Sequence, residues 1–154
     1  MHLHIFSCRL RVRDGDRDAK ILKDMKILQP SHWPRPRGYS NGIAAKGQTI
    51  FVSGIIGWDD QSRVVSDNFV DQVRQALKNI VEVLAEANAK PEHIVRMTWY
   101  VVDKRQYLDA AKDVGAVYRE IIGRHFPAMT AVQVVSLMEN KALVEIEVTA
   151  VISE

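Results

Sequence analysis

Residues 125–151 read HFPAMTAVQVVSLMENKALVEIEVTAV, and the fold turns on them. The stretch reads as two strands joined by a short polar link, because residues 131–135 and 142–151 are rich in β-branched side chains and alternate along their length. In the second strand Val144, Ile146, Val148, Ala150 and Ile152 point to one side of a sheet, while Leu143, Glu145, Glu147, Thr149 and Val151 point to the other. Two carboxylates therefore share a face with apolar neighbours. Covering such a face costs free energy unless its charges are exposed, paired or functional. Ordinary charges on a solvated face are the plainer alternative.

Outward from this stretch, residues 94–102 (IVRMTWYVV) predict another strand with two largely apolar faces. Val95, Met97, Trp99 and Val101 lie on one, and Ile94, Thr98, Tyr100 and Val102 on the other. The helix that follows is capped by Asp103, with Gln106 in capping-box register. Its stripe runs Tyr107/Leu108, Ala111, Val114/Gly115, Tyr118 and Ile121/Ile122, and Gly123 and Pro127 end it. An earlier helix is capped at Ser66 or Asp67. Phe69, Val73, Ala76, Leu77, Ile80 and Leu84 form its apolar stripe, and Asn88 then Pro91 close it. Before it, residues 41–45 and 49–53 flank Lys46-Gly47-Gln48 and predict a hairpin with Gly47 at positive φ. Ile50, Phe51 and Val52 form an unbroken apolar run, which predicts a central strand covered on both faces. That strand enters Ser53-Gly54-Ile55-Ile56-Gly57, where glycine permits a close approach. A short extra strand is expected near residues 63–65. Residues 30–40, PSHWPRPRGYS, read as an extended lead-in with Trp33 packed on the body.

The resulting order is β-β-α-β-α-β-β, an α+β arrangement with two helices on one face of a mixed sheet. The strands carry apolar residues on both faces, and no chain remains to cover the second. The pattern therefore predicts a homo-oligomer whose sheets pack on each other.

The chain has 154 residues, 47% hydrophobic and 26% charged, as expected of one domain with a normal core. Its net charge of +2 is uneven: residues 1–30 hold seven Lys/Arg against four Asp, which leaves 14 basic and 15 acidic residues in the body. A near-neutral body lacks the basic footprint of a nucleic-acid binder. The single cysteine, Cys8, forms no intrachain disulfide and fits a reducing compartment. No apolar run reaches the roughly 18 residues of a membrane span, and the start has no continuous signal-peptide core, so the expected location is the cytoplasm. Residues 1–24 are charged and weakly periodic and read as an N-terminal extension that adds little to the fold. Residues 25–154 read as a single domain.

Neither standard phosphate-binding glycine loop occurs. His32, His93 and His125 lack metal spacing, and His2 and His4 on a free terminus have no supporting shell. No serine sits in a nucleophile-elbow context. No metal or cofactor is therefore expected. What remains is Glu145 and Glu147 on one strand face and Ser53-Gly54 at a strand end. A carboxylate near a subunit seam could position or deprotonate a water, or could serve in a structural interfacial ion pair.

At this point the chain resembles the RidA family, also called YjgF or L-PSP, over about residues 36–152. The resemblance rests on Tyr39-Ser40, FVSG at Phe51–Gly54 followed by Gly57, QVRQALKNI at Gln72–Ile80, FPA at Phe126–Ala128, VQV at Val132–Val134 and VEIEVTAV at Val144–Val151. It implies a chorismate-mutase-like α+β fold and a homotrimer with ligand clefts between subunits. It also implies hydrolysis of reactive imines or enamines to a keto acid and ammonia, although other members are described as ribonucleases or translation inhibitors. The family's water-positioning glutamate matches Glu145 and its cleft tyrosine matches Tyr39. Ser53 and Gly54, with Ile55 beside them, match its ligand-holding strand end. Deaminating members carry arginine after Phe-Pro-Ala, where it grips the substrate carboxylate in bidentate fashion. Met129 stands there in this chain. Gly115 occupies a helix position often held by asparagine, and Ala131 a position often held by a small thiol. The expectation is an imine or enamine hydrolase for a ligand without a carboxylate, the alternative being a non-catalytic ligand-binding or protein-protective trimer.

Overall fold

The computed structural model describes residues 24–153. The expected extension over residues 1–24, with His2 and His4, lies outside the described residues except at Asp24. The elements are β1 (Met25–Ile27), β2 (Ile43–Ala45), β3 (Gln48–Ile56), α1 (Phe69–Ala85), a 3₁₀ turn (Pro91–His93), β4 (Ile94–Val101), α2 (Lys104–Asp109), α3 (Ala111–Ile121), β5 (Ala128–Gln133) and β6 (Val144–Ile152). Strands β3, β6, β4 and β5 form a four-stranded sheet in that order, and β1 and β2 form a separate antiparallel ribbon. Strand β6 runs antiparallel to both neighbours, while β4 and β5 are parallel. The fold is mixed α+β, with three helices packed on a mixed sheet.

The alternation in β6 sets the layers. Val144, Ile146, Val148 and Ala150 are buried against the helices, and the residues between them are only half-buried on the open face. In β4 Met97, Trp99 and Val101 join the same core. Ile94 joins it too, contrary to its expected place on the other face, because an irregularity between Ile94 and Arg96 shifts the register there.

Helix α1 starts one or two residues later than the expected caps, Asp67 and Ser66, imply. Its cap is Asn68, whose Oδ1 accepts from the N–H groups of Val70 at 2.9 Å and Asp71 at 3.1 Å, while Ser66 accepts from Asn68 N–H at 3.0 Å. The expected apolar stripe is buried, and Gln72 is buried within it. The Gln72 amide donates to Ser66 O at 2.7 Å and Lys141 O at 2.9 Å, and its Oε1 accepts from Leu143 N–H at 2.8 Å. All three bonds are satisfied, so a buried amide ties the helix start to the chain entering β6.

Five further expectations change. The second helix is two: Asp103 caps α2 as expected, accepting from Arg105 N–H at 2.7 Å, but the helix breaks at Ala110. The break lets Tyr107 lie edge-on to Phe69 and tilted against Trp99, each at 6.1 Å, while Val114, Val117 and Tyr118 cover the core further along. Second, β2 pairs with β1 rather than with β3. Gly47 still turns the chain at φ 145, since a Cβ there would lie 2.8 Å from the Ile152 carbonyl carbon. Third, β3 is an edge strand of the four-stranded sheet: Val52 is 4% exposed but Phe51 is 79% exposed on the open face. Fourth, Trp33 is 53% exposed and contacts His32 edge-on, because its lead-in is tied mainly to itself through Pro30 and Gln29. The expected strand near residues 63–65 reduces to one bridge, Trp58 to Val64. Among the described residues no helix is long and apolar enough to cross a membrane.

Candidate functional site

The register between β3 and β6 creates the first feature of the site. Val52 lies opposite Val148 and Ile55 opposite Ile146, so Ser53-Gly54 accommodates one extra residue on β3. Such a bulge bends its strand and re-aims the residues beside it. Gly54 passes directly beneath Glu145. A Cβ on Gly54 would overlap Glu145 Oε1 and lie 2.7 Å from its Cδ and 3.0 Å from its Cγ. Only glycine leaves the carboxylate in that position. Glu145 is half-buried on the open face, and its side chain forms no hydrogen bond or ion pair among the described residues. Ser53 beside it is exposed. Ile55 is 7% exposed and its side chain belongs to the core, which leaves only its backbone for a ligand.

The second group lies elsewhere. In β5, Met129 is paired with Met97 and Ala131 with Trp99, so both face the helices and pack on the edge of the core. Gly115 is buried in α3. Tyr39 is half-buried next to Ser40, which is pinned to the start of β5: its N–H donates to Pro127 O at 2.9 Å and its hydroxyl to Phe126 O at 2.7 Å. The Phe-Pro-Ala turn is braced from the other side. Tyr118 OH donates to His125 O at 2.7 Å, the Tyr118 and Phe126 rings stack at 5.9 Å, and His125 Nε2–H donates to Ile94 O at 2.6 Å. A carbonyl only accepts, so neutral His125 carries its proton on Nε2. Burial lowers the His125 pKa from its ordinary 6.5, against the opposing effect of the Ile94 carbonyl.

Within one chain, therefore, the expected site residues fall into two groups. Glu145, Gly54 and Ser53 line the β3–β6 edge on the open face, whereas Met129 and Ala131 sit across β4 on the helix-facing side. The single chain does not bring the groups together. The groove along β1 and β2, lined by Asp24, Lys26, Ala44 and Lys46 among others, contains neither group.

Two polar residues on the open face have no counterpart among the residues singled out from sequence. Tyr100 OH donates to Glu147 Oε1 at 3.2 Å, and Thr98, 5% exposed, has a hydroxyl with no hydrogen-bond partner among the described residues. Their parity in β4, opposite the carboxylate face of β6, is the sequence signal that locates them. Partial burial, followed by the Glu147 carboxylate, raises the Tyr100 pKa above its ordinary 10.0. Among the described residues no group of three or more His, Cys, Asp or Glu side chains could hold a metal ion.

Comparison with known proteins matches residues 33–152 to the family described as Endoribonuclease L-PSP. The human 2-iminobutanoate/2-iminopropanoate deaminase is 32% identical over 127 residues, covering 82% of this chain and 89% of that protein. A RutC family protein of Aquifex aeolicus is 32% identical over 128 residues, covering 82% of this chain and 99% of that protein. Among solved structures, a Rid family protein of unknown function from Yersinia pestis, YyfB, superposes with a TM-score of 0.72 at 29% identity, covering 84% of this chain and 99% of the other.

Proposed function

This chain belongs to the RidA (YjgF, L-PSP) family, and from that premise we propose that it hydrolyses a small imine or enamine lacking a carboxylate, in a cleft between subunits of a homotrimer. The observation that carries the proposal is the Glu145 carboxylate lying over the Gly54 bulge, half-buried and unpaired among the described residues. In this reading Glu145 holds a water against the C=N carbon and takes one of its protons as the C–O bond forms. That proton passes to nitrogen to give a carbinolamine. The remaining hydroxyl proton then moves through Glu145 to the nitrogen as the C=O bond forms and the C–N bond breaks, so that a carbonyl compound and ammonia leave. An enamine first becomes the imine by taking a proton at carbon and losing one from nitrogen. The Ser53 hydroxyl and the Gly54 backbone hold the ligand, with the Ile55 backbone continuing that edge. Tyr39, Met129 and Ala131 form the facing wall, while Gly115 is buried in α3.

The division of these residues between opposite faces of the sheet favours a cleft completed by a second subunit. So does the open sheet face, where Phe51 is 79% exposed. Met129 supplies the substrate preference. A hydrogen bond to a charged group contributes about 1.5–3 kcal/mol, or roughly 10- to 150-fold in affinity. Methionine offers a carboxylate no such bond and suits an uncharged, partly apolar ligand. Ribonuclease activity is disfavoured by the near-neutral body, with 14 basic and 15 acidic residues beyond residue 30.

The test is ammonia release from an uncharged imine by the native protein and by Glu145→Gln, with binding of the same compound followed by native mass spectrometry. Loss of turnover with binding retained supports the proposal. Equal turnover by both proteins refutes Glu145 as the water-holding group, and binding without turnover by the native protein favours the non-catalytic ligand-binding trimer.

A further inference from the structure

Glu145 and Glu147 are chemically identical, lie two positions apart on β6 and face the same side. Something must decide which of them meets the ligand. We propose that Tyr100 is a positioning residue that holds Glu147 back and leaves Glu145 as the carboxylate presented to the cleft. The proposal rests on the reading of Glu145 given above.

The register places Tyr100 directly opposite Glu145, and Thr98 opposite Glu147. Yet the Tyr100 hydroxyl does not bond to its direct partner. It reaches diagonally to Glu147 Oε1 at 3.2 Å, a reach open to aromatic side chains across paired strands. Thr98 does not duplicate this role, since its buried hydroxyl bonds to nothing among the described residues. Tyr100 is thus the hydrogen-bond donor assigned to Glu147, while the Glu145 carboxylate has none among the described residues. The phenol, with an ordinary pKa of 10.0 raised further by partial burial and the adjacent carboxylates, is protonated and donates at neutral pH. Arg96 is the other charged group on this face of β4; it is exposed and makes no ion pair among the described residues. Neighbouring β3 and β5 present Phe51, Ser53, Thr130 and Val132, none of which titrates near neutrality. Without the phenol hydroxyl, Glu147 is free to turn toward the same water and ligand protons as Glu145, and the two like charges disturb each other.

The test is a double-mutant cycle of Tyr100→Phe and Glu147→Gln, read in two ways. In ammonia release, Tyr100→Phe lowers kcat about tenfold with KM little changed, and the same substitution made on top of Glu147→Gln costs nothing further. In NMR of carboxyl-labelled protein, the Glu145 Cδ resonance, identified by its loss in Glu145→Gln, moves in Tyr100→Phe and returns in the double variant. Equal kcat losses in both backgrounds, or an unmoved resonance, overturn the proposal. The NMR arm needs no turnover. Retained activity in Glu145→Gln therefore sinks the catalytic reading by itself, while the cycle still reports on the control of Glu147 by Tyr100.

Discussion

Replacing Gly54 with alanine adds one methyl group where β3 passes beneath the Glu145 carboxylate. The added Cβ would lie 2.7 Å from Glu145 Cδ and 3.0 Å from Cγ. Carbon atoms settle at about 3.5–4.0 Å, so the carboxylate must retreat by roughly 1 Å. The obstructing atoms are the free end of a flexible side chain, and retreat by rotation off a preferred rotamer costs about 0.5–1.5 kcal/mol. Reduced freedom of the unfolded chain offsets about 0.4–1 kcal/mol of that. Stability should thus change by less than about 1 kcal/mol, within the range of minor substitutions. Activity should not be spared, because a misplacement of about 1 Å at a reacting group can lower the rate about 100-fold. Urea unfolding and ammonia release, measured on the same preparation of Gly54→Ala, separate the two effects. Unchanged turnover would refute the assigned position of Glu145. A stability loss above about 3 kcal/mol would show that the contact is held by backbone rather than by a movable side chain.

Gln72→Leu deletes three hydrogen bonds and leaves Leu143 N–H without its partner, so it should destabilise the fold by about 2–4 kcal/mol in urea unfolding. A change under about 0.5 kcal/mol would mean that water replaces the amide. His125 binds its proton less readily when folded, since burial lowers its pKa from 6.5. Below pH 6.5 the unfolded chain therefore takes up more protons than the folded one, and stability falls as pH drops from 6.5 toward the folded value. His125→Gln, which keeps a donor for Ile94 O, should flatten this dependence; an unchanged slope across that window would assign it to other groups.

Elements whose partners follow from local alternation were legible in the sequence. The two-sided pattern of β6 placed Val144, Ile146 and Val148 in the core and both glutamates on the open face. Asp103 and the stripe beginning at Phe69 were legible for the same reason, because capping and amphipathicity are properties of a few neighbouring residues. Features set by distant partners were not. The apolar run at Ile50–Val52 reads as a central strand, but its position in the sheet depends on which edge β6 takes, and Phe51 is left uncovered. The pairing of β2 with β1 hinges on a three-residue strand too short to show periodicity. The break at Ala110 is also hidden, since nothing at an alanine marks a helix end; it follows from fitting Tyr107 beneath Phe69. At the site, the Ser53-Gly54 motif was visible, but the reason for the glycine emerges only from its contact with Glu145.

In the proposed function Glu145 positions the water, and Met129 replaces the group that would recognise a substrate carboxylate. The most direct measurement of this function is the ratio of kcat/KM for an uncharged imine to that for 2-iminopropanoate, determined for the native protein and for Met129→Arg. The native protein should favour the uncharged compound, and the arginine should shift the ratio toward the carboxylate by roughly 10- to 150-fold. Efficient hydrolysis of 2-iminopropanoate by the native protein, with a ratio that Met129→Arg leaves unchanged, would contradict it.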